Sequence, residues 1–296
     1  MSRMDELFGE LRSLLQSDEN VQGYRMRAFL EEAYALDEAR YQEEWLPYLE
    51  RAQELPWFFA QTFESVEQIA ALVPESAHIA LVIESSGFDY AGFKSAACLE
   101  RVCKVDVNYT CKLYDAKFAL MMESPYLSGV KVLELGGNHL GDDAMRALAS
   151  SASMHGLERI CLYHNEVTSE GAKALAASMH LGQLEELDIS VNDIQDDGLI
   201  AIGSSENLGA LRVLNVRSNK IKRRGVETFA RDLKLTRLKS LKMDQNNVGN
   251  YGAQALANCE LLSGLKELTL ARARVNDKGA AYVRESPYLE LDYFLH

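Results

Sequence analysis

The stretch LEELDISVNDIQDDGLIAI, residues 184–202, sets a frame of Leu184, Leu187, Ile189 and Ile194 around a single amide, Asn192. The frame has the spacing of a half-buried strand running into a turn. A buried amide that finds no partners costs about 1–3 kcal/mol, so something must satisfy Asn192. One segment does not show what that is, but its copies do. Steps of 27 residues from Asn192 land on Asn138, Asn165, Asn219 and Asn246. Eight residues before each asparagine stand Val130, Leu157, Leu184, Leu211 and Leu238. Five before stand Leu133, Ile160, Leu187, Leu214 and Leu241; three before, Leu135, Leu162, Ile189, Val216 and Met243. Two after stand Leu140, Val167, Ile194, Ile221 and Val248. A further copy, Leu265 to Val275, keeps the apolar frame but carries Ala273 in the amide position.

The second half of each copy has helical spacing. Ten residues past the asparagine position come Leu148, Leu175, Ile202, Phe229, Leu256 and Val283, and six past come Ala144, Gly171, Gly198, Gly225, Gly252 and Gly279. Four past come Asp142, Ser169, Asp196, Arg223, Asn250 and Asp277, five of which are good helix N-caps. Each copy therefore reads as strand, turn and capped helix, with the glycines expected to let strand and helix approach closely.

The pattern L-x-x-L-x-L-x-x-N-x-L resembles that of leucine-rich repeat proteins, and a helix in every copy is similar to their ribonuclease-inhibitor-like subclass. The resemblance runs from about residue 78 to the last residue. Two degenerate copies precede the regular ones: Leu81 and Ile83 lead to Ser86, and Val102, Val105 and Val107 lead to Thr110. The motif "ESPYL" at 123–127 returns at 285–289, which predicts a truncated last strand near the end of the chain. The resemblance implies an α/β solenoid, a horseshoe with a parallel concave sheet and convex helices. Parallel strands stack ~4.8 Å apart whereas packed helices need ~8–10 Å, so such a stack curves toward its strands. It also places each asparagine over its copy in the next repeat, where the amide can bond backbone groups freed as the strand turns.

Residues 1–75 do not fit the lattice. Met4, Leu7, Phe8, Leu11 and Leu14 have helical spacing, and the aromatic segment 41–59 and the segment 62–72 read as further helices. This predicts two regions: an all-helical N-terminal cap or docking region, 1–75, and a repeat domain, 76–296, of about eight repeats. Residues 1–75 carry a net charge of −10 out of −13 for the chain. That balance disfavours nucleic acid and anionic membrane surfaces as partners. No apolar run approaches the ~18 residues of a membrane span, and the first fifteen residues lack a signal-peptide core. Five cysteines with no Cys-x-x-Cys pair point to reduced thiols and a cytoplasmic location.

Candidate chemistry is sparse. NDIQDDG, 192–198, lacks the alternating carboxylates of a calcium loop, and the cysteine and histidine spacings match no zinc pattern. Cys161 and His164, three apart along a strand, are expected on opposite faces. No metal, cofactor or catalytic residue is therefore predicted. What remains is the concave face. Residues four, two and one before each lattice asparagine should point outward there. They include Tyr109, Tyr163, His164, Asp188, Arg217, Lys242, Asp244 and Arg272, with Gly136 and Gly137 leaving a recess between Tyr109 and Tyr163. The family resemblance implies a non-catalytic, monomeric scaffold that binds a protein partner through this face. An alternative, by analogy of fold alone, is a regulator of a small GTPase of the GTPase-activating kind.

Overall fold

The computed structural model of the chain describes Glu6 and residues 60–62, 79–83, 90–108 and 112–296. Among these residues ten strands form one sheet, and neighbours in space are also neighbours in sequence. They are β1 (Ala60–Thr62), β2 (Ile79–Val82), β3 (Val102–Asp106), β4 (Val132–Glu134), β5 (Arg159–Cys161), β6 (Glu186–Asp188), β7 (Val213–Asn215), β8 (Ser240–Lys242), β9 (Glu267–Thr269) and β10 (Tyr293–Leu295). All pairs are parallel, and Leu133, Ile160, Leu187, Leu214, Leu241 and Leu268 stand opposite one another from β4 to β9. The spatial register is therefore the 27-residue step seen in the sequence.

Parallel neighbours need a crossover, and from β3 onward a helix supplies it. These are α1 (Tyr114–Met122), α2 (Asp142–Ser150), α3 (Ser169–Ala177), α4 (Gln195–Gly203), α5 (Arg223–Asp232), α6 (Gly249–Ala257) and α7 (Asp277–Arg284). The apolar lattice positions, from Leu133 and Leu135 to Leu268 and Leu270, are buried between the sheet and this helix layer.

The acidic and amide residues at the helix starts cap the next helix rather than their own. Asp142 accepts from the Thr168 and Gly171 amides at 2.8 and 2.9 Å and from the Thr168 hydroxyl at 2.6 Å. Asp115 reaches the Gly141 amide, Asp196 the Lys222 amide and Asn250 the Asn276 amide. Helix starts are stacked side by side, so a side chain on the first turn lies nearer its neighbour's free N–H groups than its own. Where the preceding repeat offers Ser169 or Arg223 no such bond forms, and the chain enters α4 and α6 through Gln195 and Gly249 with φ of 54° and 65°. The glycine six past the asparagine follows from the same stacking. A Cβ on Gly171 or Gly225 would sit 2.5 Å from the carboxylate of Asp142 or Asp196. The close approach is also where strand meets helix, since a Cβ on Gly171, Gly198, Gly252 or Gly279 would sit 2.7–2.8 Å from Val167, Ile194, Val248 or Val275 in its own turn.

The sheet also begins earlier than the repeat pattern. β1 pairs with β2 in parallel from Ala60 to Thr62, inside the stretch expected to be wholly helical. Glu6, within the helix expected over Met4 to Leu14, is helical; the rest of the helices expected within residues 1–75 lie outside the described residues, as do Ser86 and Thr110. At the other end β10 pairs with β9, the truncated strand expected after the second ESPYL.

Candidate functional site

Both edges of the sheet are stitched by side chains, and this fixes the face between them. On the edge where strands end, the amide of Asn192 donates to the carbonyls of Ile189 and Ser190 in its own repeat and of Leu162 in the preceding one, at 2.9–3.1 Å. Its carbonyl accepts from the Val167 amide at 3.0 Å. Asn165, Asn219 and Asn246 repeat the scheme, and Asn138 donates likewise to Val107 and Leu135. In Asn165, Asn192, Asn219 and Asn246 the buried amide is satisfied because each one ties its own turn to the turn before it, while the Asn138 carbonyl has no partner among the described residues.

The edge where helices end carries a second ladder that the leucine and asparagine frame does not reveal. Ser151, Ser178, Ser205 and Ser286 donate to the last-turn carbonyls of Met122, Ala149, Ala176 and Ala257, each 29 residues back. The hydroxyls of Ser178, Ser205 and Ser286 also accept from the amide two residues on. Cys259 occupies the same position, and its thiol reaches the Ala230 carbonyl at 3.2 Å. This cysteine is thus a replacement for serine in a structural role.

Between the edges lies the concave face. The strand pairing gives it a column that the residues four, two and one before asparagine leave out, running Lys104, Val132, Arg159, Glu186, Val213, Ser240, Glu267 and Tyr293. Its charges neutralise the neighbouring column. Arg159 lies 3.5 Å from Glu134 and 3.4 Å from Glu186, and Lys242 lies 3.4 Å from Glu267. The Asp188 carboxylate accepts from the Ser190 amide and from the Asn215 side chain, both at 2.9 Å. Asp244 accepts from the Ala271 amide at 2.7 Å and the Thr269 hydroxyl at 2.5 Å. Of the predicted contact residues, Asp188, Lys242 and Asp244 are therefore engaged within the sheet.

Tyr163 and His164 meet in one repeat, and Arg217 stands two repeats further along. Tyr163 is half-buried and meets the exposed His164 edge-on, with ring centroids 5.8 Å apart. The exposed Arg217 donates from Nε to the Gln245 side-chain oxygen Oε1 at 3.3 Å. Tyr109 lies outside the described residues. The recess expected at Gly136 is bridged, because Asn108 accepts from the Gly136 amide at 2.6 Å. Arg272 is exposed and lines a groove along the strand-end edge, the rim of this face, where the residue before the asparagine position, His164 among them, is left-handed in each regular repeat: Gly137, His164, Val191, Ser218, Gln245 and Arg272 have φ of 54–69°. The Cys161 thiol, on the concave face, is pushed up to about 11 by burial, reinforced by the nearby Asp188 and Glu134 carboxylates. A nucleophilic cysteine needs the opposite shift.

The leucine-rich repeat family model matches residues 130–149, 157–176, 184–203, 211–230 and 234–257. The first four segments start at Val130, Leu157, Leu184 and Leu211, the first apolar positions of four successive copies. Residues 130–257 are leucine-rich repeats. No curated protein matches the chain. Among solved structures the repeat fold is similar to an internalin (inlF) from Listeria monocytogenes, at 18% identity over 82% of this chain and 76% of that one, with a TM-score of 0.44. A second is the yeast Rad7 and Elc1 complex, at 13% identity over 99% of this chain and 86% of that one, with a TM-score of 0.34. Among the described residues no helix is long and apolar enough to cross a membrane, and no group of His, Cys, Asp and Glu side chains is arranged to hold a metal ion.

Proposed function

We propose that the chain is a non-catalytic scaffold that holds a protein partner on the concave face of its leucine-rich repeats, around Tyr163, His164 and Arg217. The observation that carries this reading is the division of the face. Most of its acids are occupied by neighbours within the sheet, while an aromatic pair and an arginine stand outermost in its central repeats. Tyrosine and arginine dominate interface positions where truncation costs ~2 kcal/mol or more, because a ring and a guanidinium each bury much area at little entropic cost. The net charge of −13 favours a protein over a polyanion. Four free thiols among the described residues fit a cytoplasmic setting.

The test is a pull-down from the source cell with three proteins. Tyr163→Ala/Arg217→Ala should fold normally and lose the main partner. Lys173→Ala, on the helix layer where Lys173 pairs with Glu170 at 2.7 Å, should retain it. If the double variant keeps the partner while changes within residues 1–75 abolish binding, the concave face is not the site.

A further inference from the structure

The strand-end edge is electrically divided along its length. Each turn, from two residues before the asparagine position to six after it, contributes nine residues to that edge. The three turns at Asn138, Asn165 and Asn192 sum to −7, and the three at Asn219, Asn246 and Ala273 sum to +6. In an acidic chain this concentrates positive charge in one place.

A groove of about 730 Å³ runs along the edge and enters the basic end. Two rows of side chains form its walls and the asparagine ladder its floor. The residue before each asparagine position gives one wall, ending in Gln245 and Arg272, and the residue after it gives the other, with Lys220, Asn247 and Arg274. Arg272 and Arg274, with left-handed φ of 56° and 58°, flank Ala273, and both line the groove. Several basic side chains elsewhere are neutralised by neighbours, Lys131 by Glu158, Arg159 by Glu134 and Glu186, Arg212 by Glu185 and Lys234 by Glu206, and within the groove Lys220 pairs with Asp193 at 2.8 Å. Among the described residues no carboxylate pairs with Arg272 or Arg274.

We propose that the basic end of this groove is a second binding surface, which takes an extended acidic segment of a protein with its carboxylates on Arg272 and Arg274. The guanidinium fork fits a carboxylate with two hydrogen bonds, and the side-chain amides of Gln245 and Asn247 add donors between. Spacing favours a polyproline-type backbone. Lys220, whose ammonium Asp193 holds at 2.8 Å, and Arg274 stand two repeats apart in one wall, ~10 Å at the spacing of parallel strands. A polyproline II chain returns the same face every three residues, ~9.3 Å on. This surface is independent of the concave-face reading.

The experiment is fluorescence anisotropy on the full chain, using a fluorescein-labelled peptide with glutamate at every third position in a proline-rich frame, and the same peptide with glutamine. The glutamate peptide should bind, should weaken as salt rises, and should exceed the glutamine peptide by at least tenfold. Arg272→Glu/Arg274→Glu should lose at least tenfold with an unchanged circular dichroism spectrum and melting curve, and Arg272→Gln/Arg274→Gln should reproduce the loss without charge reversal. Tyr163→Ala should bind the peptide as well as the wild type even if it fails the partner pull-down. No binding of the glutamate peptide at low salt, equal binding of the glutamine peptide, or full binding by both arginine variants overturns the proposal. So does equal competition by a single-stranded oligonucleotide, which would make the edge a general polyanion surface.

Discussion

The turn after each strand and the turn after each helix face the same difficulty, unpaired backbone where a regular element stops, and answer it with different side chains. The strand-end turn uses asparagine, which donates and accepts at once and so bonds its own turn and the previous one. The helix-end turn uses serine, whose hydroxyl donates one bond to the previous helix and accepts locally. The difference shows in what each position tolerates. The serine edge admits Cys259, which keeps the bond to Ala230, and Asp232, which turns outward to Arg231 at 2.7 Å. Among the regular copies the amide edge keeps asparagine at Asn138, Asn165, Asn192, Asn219 and Asn246 and gives way only at Ala273, in the copy beside the truncated β10.

The largest effect should come from the amide edge. Asn192→Ala leaves the buried Val167 amide without its partner and takes one of two ladder bonds from each of the Leu162 and Ile189 carbonyls, which keep Asn165 and Asn219, and should cost about 2–3 kcal/mol. Its neighbour Asp193 contributes an exposed ion pair to Lys220 at 2.8 Å, so Asp193→Ala should cost under about 1 kcal/mol. Equal urea midpoints for the two variants would remove the ladder as the source of stability.

A middle effect belongs to the helix-end edge. Ser205→Ala removes one bond to the Ala176 carbonyl and the acceptor for the Asn207 and Leu208 amides, and should cost about 1–2 kcal/mol. Cys259→Ser should shift the melting temperature little, because the hydroxyl can reach the same Ala230 carbonyl. A loss at Cys259→Ser as large as at Ser205→Ala would mean that the thiol fills space rather than serving as a rung.

These contrasts also mark how far residues alone could be read. The strand ladder was legible because Asn192 breaks an apolar frame, and a polar residue at a fixed place in such a frame stands out. The serine ladder holds the same 27-residue step, but a serine after a helix is unremarkable, and Asp232 and Cys259 interrupt the column. The caps at Asp142, Asp196 and Asn250 were visible as cap residues. Their direction was not, since it depends on the distance to the next helix start rather than on the local chain. Alternation put Asp188 and Asp244 on the concave face, yet which of its charges stay available depends on Arg159, Glu267 and the column they belong to. Ala60–Thr62 carries no lattice residue and gave no sign of its strand.

The smallest effect is a gain, at the point where the amide edge stops. Ala273 is buried, and its amide closes back on the Leu270 carbonyl at 3.0 Å, three residues earlier. The spacing of the other rungs says what an asparagine would do there. Asn246 accepts from the Asn219 and Ile221 amides, 27 and 25 residues back, and donates to the carbonyls 30 and 3 residues back. Carried one step on, the side chain introduced by Ala273→Asn would accept from the Asn246 and Val248 amides and donate to the Met243 and Leu270 carbonyls. One or two net hydrogen bonds at ~1 kcal/mol each, less the entropy of fixing the side chain, leave an expected gain of about 0.5–1 kcal/mol for this substitution. Urea unfolding with an unchanged slope would measure it, and the serine edge supplies the control. Asp232→Ser also restores a missing rung, but there α5 runs one residue longer than α4 and α6, so the hydroxyl is displaced from the Gly203 carbonyl, to which the Lys234 amide already donates at 2.8 Å. Stabilisation by Ala273→Asn without stabilisation by Asp232→Ser is the expected outcome. Destabilisation by Ala273→Asn would mean that the amide ladder depends on a further repeat stacked beyond it, and not on the lattice position alone.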